Sequence, residues 1–272
     1  VFCPKCGTKL EEDTKFCSKC GIAIDSLRTQ HKRETSQKTK RKPLSMTAII
    51  AIIIIAVVVI AGLLSTVLLL WDGHLFERVV GSGNLVTNEE FYSDFSKIDA
   101  GSGFNVEISN SSSYNVIVTA DDNVMDHIEV SKSGDTLKVG VKWGSSLTSV
   151  TLKIKITMPE IERIELSGGC QGEIEGFTST NPFSVDLSGG SQLTGEGSAG
   201  DLTIDLSGGS QLHFADYSVQ DGNIELSGGS QATINLDGTL NADLSGGSIL
   251  HYYGNPTMGE IETSSGSQIN KK

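Results

Sequence analysis

Four cysteines crowd into the first 20 residues: Cys3-Pro-Lys-Cys6-Gly7, then Cys17-Ser-Lys-Cys20-Gly21, with ten residues between Cys6 and Cys17. Two C-x-x-C-G steps at this separation bring four thiolates onto one tetrahedral metal ion, and Zn²⁺ is the ion that such a donor set favours. Each glycine lets backbone N–H groups turn toward sulfur. All four positions are Cys, so no coordination site stays open to a substrate. The expected zinc is therefore structural, one per chain. Binding it supplies about 10 to 16 kcal/mol, which is how some twenty residues with almost no core could fold. Two disulfides would need an oxidising compartment, and the topology argued below puts this segment on the reducing side.

A second set of reactive groups lies far from the first. Glu165, Asp186, Asp205, Glu225, Asp243 and Glu262 each stand immediately before a repeated anchor residue. If they stack at about 4.8 Å, neighbouring carboxylates repel by about 0.9 kcal/mol per pair in bulk water. Divalent cations would relieve that repulsion, which makes the set a candidate cation or ligand ladder. A solvated acidic face is the expectation, and Ca²⁺ is not expected, because calcium-binding solenoids repeat every nine residues and this chain repeats about every twenty.

What positions these acids is a recurring phrase. Leu166-Ser-Gly-Gly-Cys170-Gln171, Leu187-Ser-Gly-Gly-Ser191-Gln192, Leu206-Ser-Gly-Gly-Ser210-Gln211, Leu226-Ser-Gly-Gly-Ser230-Gln231 and Leu244-Ser-Gly-Gly-Ser248-Ile249 are followed by a worn copy, Thr263-Ser-Ser-Gly-Ser267-Gln268. The anchors are 21, 19, 20, 18 and 19 residues apart, a period that marks stacked units. Within each copy apolar residues alternate, which is a strand period. Ile204, Leu206, Leu212 and Phe214 share one parity; Asp205, Ser207, Gln211 and His213 share the other. Stacking puts the first set in an inner column and the second outside. The Gly-Gly pair supplies the corner between short strands. The expected fold is mainly β: a parallel β-helix, or solenoid, with one copy per coil, beside a small metal-binding unit and a single transmembrane α-helix.

Other repeated positions read as structure. Gln171, Gln192, Gln211, Gln231 and Gln268 form an outer amide column, broken by Ile249, whose members can hydrogen-bond along the stack. Cys170 takes the place of an inward Ser and reads as a buried small side chain. His213 and His251 share one repeat position with Thr233 between them, too far apart for one ion. From Ile164 to Asn270 there is no Lys or Arg, so a lyase-type site for acidic polysaccharide lacks its cations. No residue is assigned a catalytic role, and the chain is not expected to be an enzyme.

The ends of the chain differ in charge. Residues 1–43 hold 11 Lys/Arg against 5 Asp/Glu, a net +6, and residues 72–272 hold 10 against 28, a net −18. Residues 25–43 are polar and basic and read as a flexible linker, whose Lys and Arg suit anionic lipid better than nucleic acid. Thr47 to Leu70 carries no charge, and Trp71 closes the run as an interface anchor. Twenty-four residues at about 1.5 Å each span a bilayer, so residues 44–71 are expected to form the membrane helix, a retained span and not a cleaved leader. Six Lys/Arg lie between Lys32 and Lys42, and only Arg78 soon after the run. The positive-inside rule then places the N-terminus in the cytoplasm and the acidic C-terminal part outside.

Two resemblances accompany these readings. Residues 2–24, with the cysteine steps above, resemble the short zinc-ribbon modules found at the N-termini of many prokaryotic membrane proteins. The run Phe95-Ser-Lys-Ile98-Asp-Ala-Gly-Ser-Gly103, the stretch Ile156-Thr-Met-Pro-Glu-Ile161, and the repeated Leu-Ser-Gly-Gly-Ser-Gln resemble the bacterial head-GIN domain over about residues 91–270. That resemblance implies a β-helical extracytoplasmic domain of adhesin type without established catalytic residues.

The expected order is a zinc ribbon (1–24), the basic linker (25–43), the span (44–71), a tether (72–90), a β-rich capping region (91–163) and the repeat β-helix (164–272). The expected protein is a single-pass cell-envelope protein whose head binds an extracytoplasmic protein or glycan. The alternative is a sensor that relays events at the head to a cytoplasmic partner of the ribbon.

Overall fold

The computed structural model describes residues 2–3, 5–9, 11, 15–23 and 77–272. The basic linker, the apolar span and the start of the tether lie outside the described residues; among those described, no helix is long and apolar enough to cross a membrane. The chain divides into two compact units, Val1–Asp72 and Gly73–Lys272.

In the first unit, the two cysteine steps fold alike. Phe2 bridges Lys9 and Phe16 bridges Ala23, both antiparallel, closing two small hairpins. Inside each, the glycine N–H returns to the first cysteine: Gly7 to the Cys3 carbonyl and Gly21 to the Cys17 carbonyl, both at 2.8 Å. Gly7 and Gly21 stand at φ 68° and 69°, a left-handed turn that costs a side-chain-bearing residue about 1 to 2 kcal/mol.

The second unit is built almost entirely of strands. At its start are β1 (Glu77–Val80), β2 (Leu85–Glu90), β3 (Lys97–Ala100) and β4 (Asn105–Asn110). Next come β5 (Asn115–Asp121), β6 (Ile128–Ser133), β7 (Thr136–Val141), β8 (Ser145–Thr148) and β9 (Leu152–Met158). The repeats then give strands in pairs: β10 (Arg163–Leu166) and β11 (Gln171–Thr178), β12 (Phe183–Leu187) and β13 (Gln192–Ser198), β14 (Leu202–Leu206) and β15 (Gln211–Val219). The last pairs are β16 (Gly222–Leu226) and β17 (Gln231–Leu236), β18 (Thr239–Leu244) and β19 (Ile249–Tyr253), β20 (Thr257–Thr263) and β21 (Gln268–Lys271).

Each repeat copy is one two-stranded coil. Its first strand joins a nine-stranded sheet, β6-β7-β3-β10-β12-β14-β16-β18-β20, and its second a ten-stranded sheet, β2-β5-β9-β4-β11-β13-β15-β17-β19-β21. All pairings between repeat strands are parallel, and from β10 to β18 the first strands stay in phase, as in Val185↔Ile204↔Ile224 and Leu187↔Leu206↔Leu226. The alternation expected from sequence is met: Ile204, Leu206, Leu212 and Phe214 are fully buried, while Asp205 and His213 are exposed. Burying one such side chain contributes about 1.5 to 3 kcal/mol, and each lies against its equivalents in the coils on either side.

The corner is set by the glycine pair. Gly208 (φ 63°) and Gly209 (φ 77°) both take the left-handed conformation, but only Gly208 is crowded: a Cβ there would lie 3.1 Å from the Gly189 nitrogen of the preceding coil. Behind the corner, Ser191, Ser210, Ser230 and Ser248 are completely buried. Each hydroxyl donates to the carbonyl three residues back, Ser188, Ser207, Ser227 and Ser245, at 2.7 to 2.8 Å. A short side chain that satisfies itself locally can therefore sit in the core without cost. Cys170, also buried, takes this position in the first copy, with its sulfur 3.6 Å from the Ala100 carbonyl.

The region before the repeats departs from a simple cap in two ways. First, β3 and β4 already form a full coil: Ile98 pairs with Ile164, Val106 with Gly172, and Ser102 (φ 67°) and Gly103 (φ 77°) turn the corner. Ile98–Gly103 is thus a working copy of the repeat. Second, the next coil in sequence, β7 with β9, stacks on the other edge of β3 and β4, through Ile98↔Leu137 and Val106↔Ile154. Antiparallel strands then close the end, β6 on β7 and β5 on β9, with β2 outermost on β5.

Residues 77–90, read from sequence as part of an exposed tether, are instead strands. β1 pairs in parallel with β8, and β2 pairs antiparallel with Val116–Asp121 of β5. Asp121 pins this segment. Its buried carboxylate accepts the Gly83 N–H at 2.6 Å and the Thr151 N–H at 2.7 Å. These bonds, that from Thr151 first, hold its pKa below the usual carboxylate value.

Candidate functional site

The strongest site is the sulfur cluster. The Sγ atoms of Cys3, Cys6, Cys17 and Cys20 all lie within 4.8 Å of one another, and all four are free thiols. Cys3 to Cys20 and Cys6 to Cys17 are each 3.6 Å apart, close to the roughly 3.8 Å edge of a tetrahedron with Zn–S bonds of about 2.3 Å. The surroundings favour thiolate at two positions. The Thr8 hydroxyl and N–H bring Cys6 down to about 6, and the N–H groups of Cys20 and Lys19 lower Cys17. At Cys20 the Ile22 N–H works in the same direction, but burial and the sulfurs of Cys6, Cys17 and Cys3 outweigh it and push the thiol up to about 12. Four charges cannot gather in so small a space without a cation, and zinc supplies one. The donor set therefore fits a closed structural Zn²⁺ site.

The carboxylates expected to stack do so. Glu165↔Asp186, Asp186↔Asp205, Asp205↔Glu225, Glu225↔Asp243 and Asp243↔Glu262 are direct partners along the nine-stranded sheet. The register continues to Asp99 and then Lys138. Among the described residues, the cations paired with this column stand at its cap end: Lys138 is 3.5 Å from Asp99, and Arg163 is 3.0 Å from Asp186 and 3.7 Å from Glu165. Burial raises the pKa of Asp186; Arg163 opposes the rise and the charge of Asp205 adds to it. Toward the other end, Asn223, Glu225, Asn241, Asp243, Glu260 and Glu262 line an open groove of about 290 Å³. Asn241 bridges it, donating to Asn223 and accepting the Glu260 N–H, both at 2.9 Å.

On the other sheet, Gln171, Gln192, Gln211 and Gln231 stack in register, with Ile249 and then Gln268 after them. His213, Thr233 and His251 are likewise aligned, so the two histidines are two coils apart. Among the described residues, only the four cysteines bring three or more metal-ligating groups together.

One feature had no signal in the sequence reading. At the edge of the coils away from the Gly-Gly corners lies a cleft of about 340 Å³. Ile161, Phe177 and Tyr217, all buried, form its floor, and Tyr114, Asn110 and Asn181 stand in its walls. Irregularities in the strands create it. The pairing of β11 with β13 slips between Ile174 and Phe177, and that of β13 with β15 between Thr194 and Glu196. Between the Phe177 and Tyr217 coils stands Gly197, where a Cβ would collide with the Phe177 carbonyl oxygen and lie 3.2 Å from the Tyr217 ring. Bulges re-aim side chains in this way.

Comparison with known proteins agrees with both units. Residues 2–24 match a zinc-ribbon domain family. Among solved structures, an adhesin-like protein from Bacteroides fragilis is similar over 71% of this chain and 100% of its own, at 17% identity and a TM-score of 0.52, which supports the fold of the head. A protein from Parabacteroides distasonis described as lipid-binding (20% identity, 72% of this chain and 100% of its own, TM-score 0.46) and an adhesin-like protein from Parabacteroides merdae (15%, 72% and 99%, 0.45) are more distant in shape. Among curated proteins no sequence matches. Neither matching family is an enzyme family. Residues 94–256, more than half of the chain, match the family described as "Putative auto-transporter adhesin, head GIN domain", and the chain belongs to that family.

Proposed function

We propose that this chain is a single-pass cell-envelope protein, anchored by residues 44–71, with its zinc ribbon in the cytoplasm and its acidic head outside as a binding module of adhesion type. The carrying observation is the in-register outer columns of Asp/Glu and Gln on two long parallel sheets, in a head of this family. Side chains repeated at one strand spacing offer the same contact many times over, so weak contacts with a regular protein or glycan surface add by multivalency. The uncharged run 47–70 and the basic residues before it support the anchor and its direction.

Protease added to intact cells that carry the full chain is expected to remove the head and spare the ribbon. A protected head would overturn the orientation. Adhesion of those cells to a host or neighbour cell surface is expected to disappear with the head, and adhesion that survives its removal would overturn the binding role. The sensor alternative requires a cytoplasmic partner. A ribbon that captures nothing in a pull-down, with the head engaged or not, would dismiss it.

A further inference from the structure

We infer that the cleft beside Tyr217 is a binding site for a neutral sugar ring. This rests on the reading of the head as a binding module and names the class of ligand. The floor is apolar and aromatic, and the rim carries hydrogen-bonding groups, a division that matches a saccharide with its apolar C–H face and its ring of hydroxyls.

The groups are placed for it. Tyr114 is half-buried, its ring braced against Phe95 at 4.8 Å, so it stands as a fixed wall on which a sugar face can rest. Asn110 donates to the Pro159 carbonyl at 2.8 Å and Asn181 to the Glu160 carboxylate at 2.5 Å. Each amide is thereby held in one orientation while its oxygen keeps no partner among the described residues. Tyr217 is only 1% exposed, packed between Phe214 at 4.6 Å and Phe183 at 5.8 Å. Burial pushes its hydroxyl up to about 12, so it is a neutral donor at any physiological pH. Among the described residues nothing hydrogen-bonds to that hydroxyl, although the residue lines the cleft. Unlike Asn115 Oδ1 and His251 Nδ1, the hydroxyl is not sealed off, so a ligand hydroxyl in the cleft can pair with it.

The same residues argue against other ligands. No Lys or Arg lines the cleft, which disfavours an anion. Its one carboxylate, Glu160, is already engaged by Asn181 and cannot hold a metal alone. An acyl chain would bury Asn110, Asn181, Thr178 and Ser179 without satisfying them.

The test uses the full chain in a detergent without a sugar headgroup. Methyl glycosides of glucose, galactose, mannose and N-acetylglucosamine, and their neutral disaccharides, are titrated by ligand-observed NMR, with sialylated glycans and anionic lipid vesicles in parallel. At least one neutral sugar is expected to bind. Asn181→Ala should weaken it about tenfold and Tyr217→Phe about threefold to tenfold, the range for one lost hydrogen bond. Lys132→Gln, exposed on β6 and outside both the cleft and the outer columns, should change nothing. Tyr217→Phe keeps the ring and should leave thermal unfolding unmoved, which separates its effect on binding from one on folding. Neutral-sugar binding that falls with Asp205→Asn and not with Tyr217→Phe would overturn the cleft and keep the binding module. Binding only to sialylated glycans or vesicles, or to none of the probes at millimolar concentration, would overturn the proposal, while cell adhesion still tests the module separately.

Discussion

The ribbon holds its fold with four sulfurs, and of its described side chains only Cys3 and Cys17 are buried hydrophobics. The head instead buries one continuous core, from Phe95 to Leu250, in which each column repeats the same few side chains. In the first, every stabilising contact converges on a single point, so the fold is all or nothing with respect to the metal. In the second, stabilisation is spread over neighbours of nearly equal worth, as in other repeat proteins, and no one residue is indispensable. The two units should therefore fail differently.

The largest difference is expected at the metal. Cys17→Ser, or removal of zinc by a chelator, withdraws a binding free energy of about 10 to 16 kcal/mol and should unfold the ribbon completely. The head should keep its unfolding temperature, because the units have separate cores and distant perturbations add independently. Metal analysis of the full chain should return one Zn²⁺ per molecule, and two transitions should be seen by calorimetry with only one of them chelator-sensitive. Loss of the head transition on chelation would erase the contrast.

Truncation within the head should cost less. Leu206→Ala removes a fully buried side chain between Leu187 and Leu226, for an expected loss of about 2 to 5 kcal/mol, measured by denaturant unfolding. The head should remain folded, since the columns above and below are intact. Smaller again is a comparison within one corner. Gly208→Ala meets both a left-handed φ and a backbone nitrogen at 3.1 Å, whereas Gly209→Ala meets the φ alone, with nothing within 4 Å. The φ penalty is about 1 to 2 kcal/mol, so Gly209→Ala should cost about that and Gly208→Ala distinctly more. Equal losses would mean that coil contact plays no part in the choice of glycine.

How much of this was legible in sequence follows from the same contrast. The four cysteines are a local pattern, and the repeat corners and the parity of Ile204, Leu206 and Leu212 recur at fixed distance, so both announce themselves. The cap does not. Its β7–β9 coil stacks out of chain order, and nothing in Leu137 or Ile154 says on which edge of β3 and β4 they belong. β2 carries no alternation in Leu85–Glu90, since most of the strand is exposed on both faces; its place is fixed by backbone pairing and by Asp121. The cleft has no sequence signature because it depends on strand irregularities and on the absence of a side chain at Gly197, features that arise only once the coils are stacked.

The acidic column gives the smallest expected effect and the sharpest test of register. Asp186 has its pKa raised by folding, first by burial, with Asp205 adding and Arg163 opposing. The folded head then binds more protons than the unfolded chain near that pKa, so stability rises as pH falls through it and levels off below the unfolded value, about 3.9 for Asp. Asp121 works in the opposite direction. Its folded pKa is lowered, so its contribution is present above about pH 4 and is lost as pH falls further. The two signs together predict a shallow maximum in the head's unfolding temperature at mildly acidic pH, followed by a decline. Arg163→Gln should raise the maximum relative to neutral pH, because it removes the cation 3.0 Å from Asp186 and leaves burial and Asp205 unopposed. Added salt should flatten the difference by screening the exposed acids beyond Asp186. Millimolar Ca²⁺ at matched ionic strength should add nothing more if the column is a solvated face, and an extra rise with Ca²⁺ would make it a cation site. A variant whose pH profile is identical to that of the parent would show that Arg163 does not reach Asp186 in solution, and the in-register pairing of β10 with β12 would have to be revised.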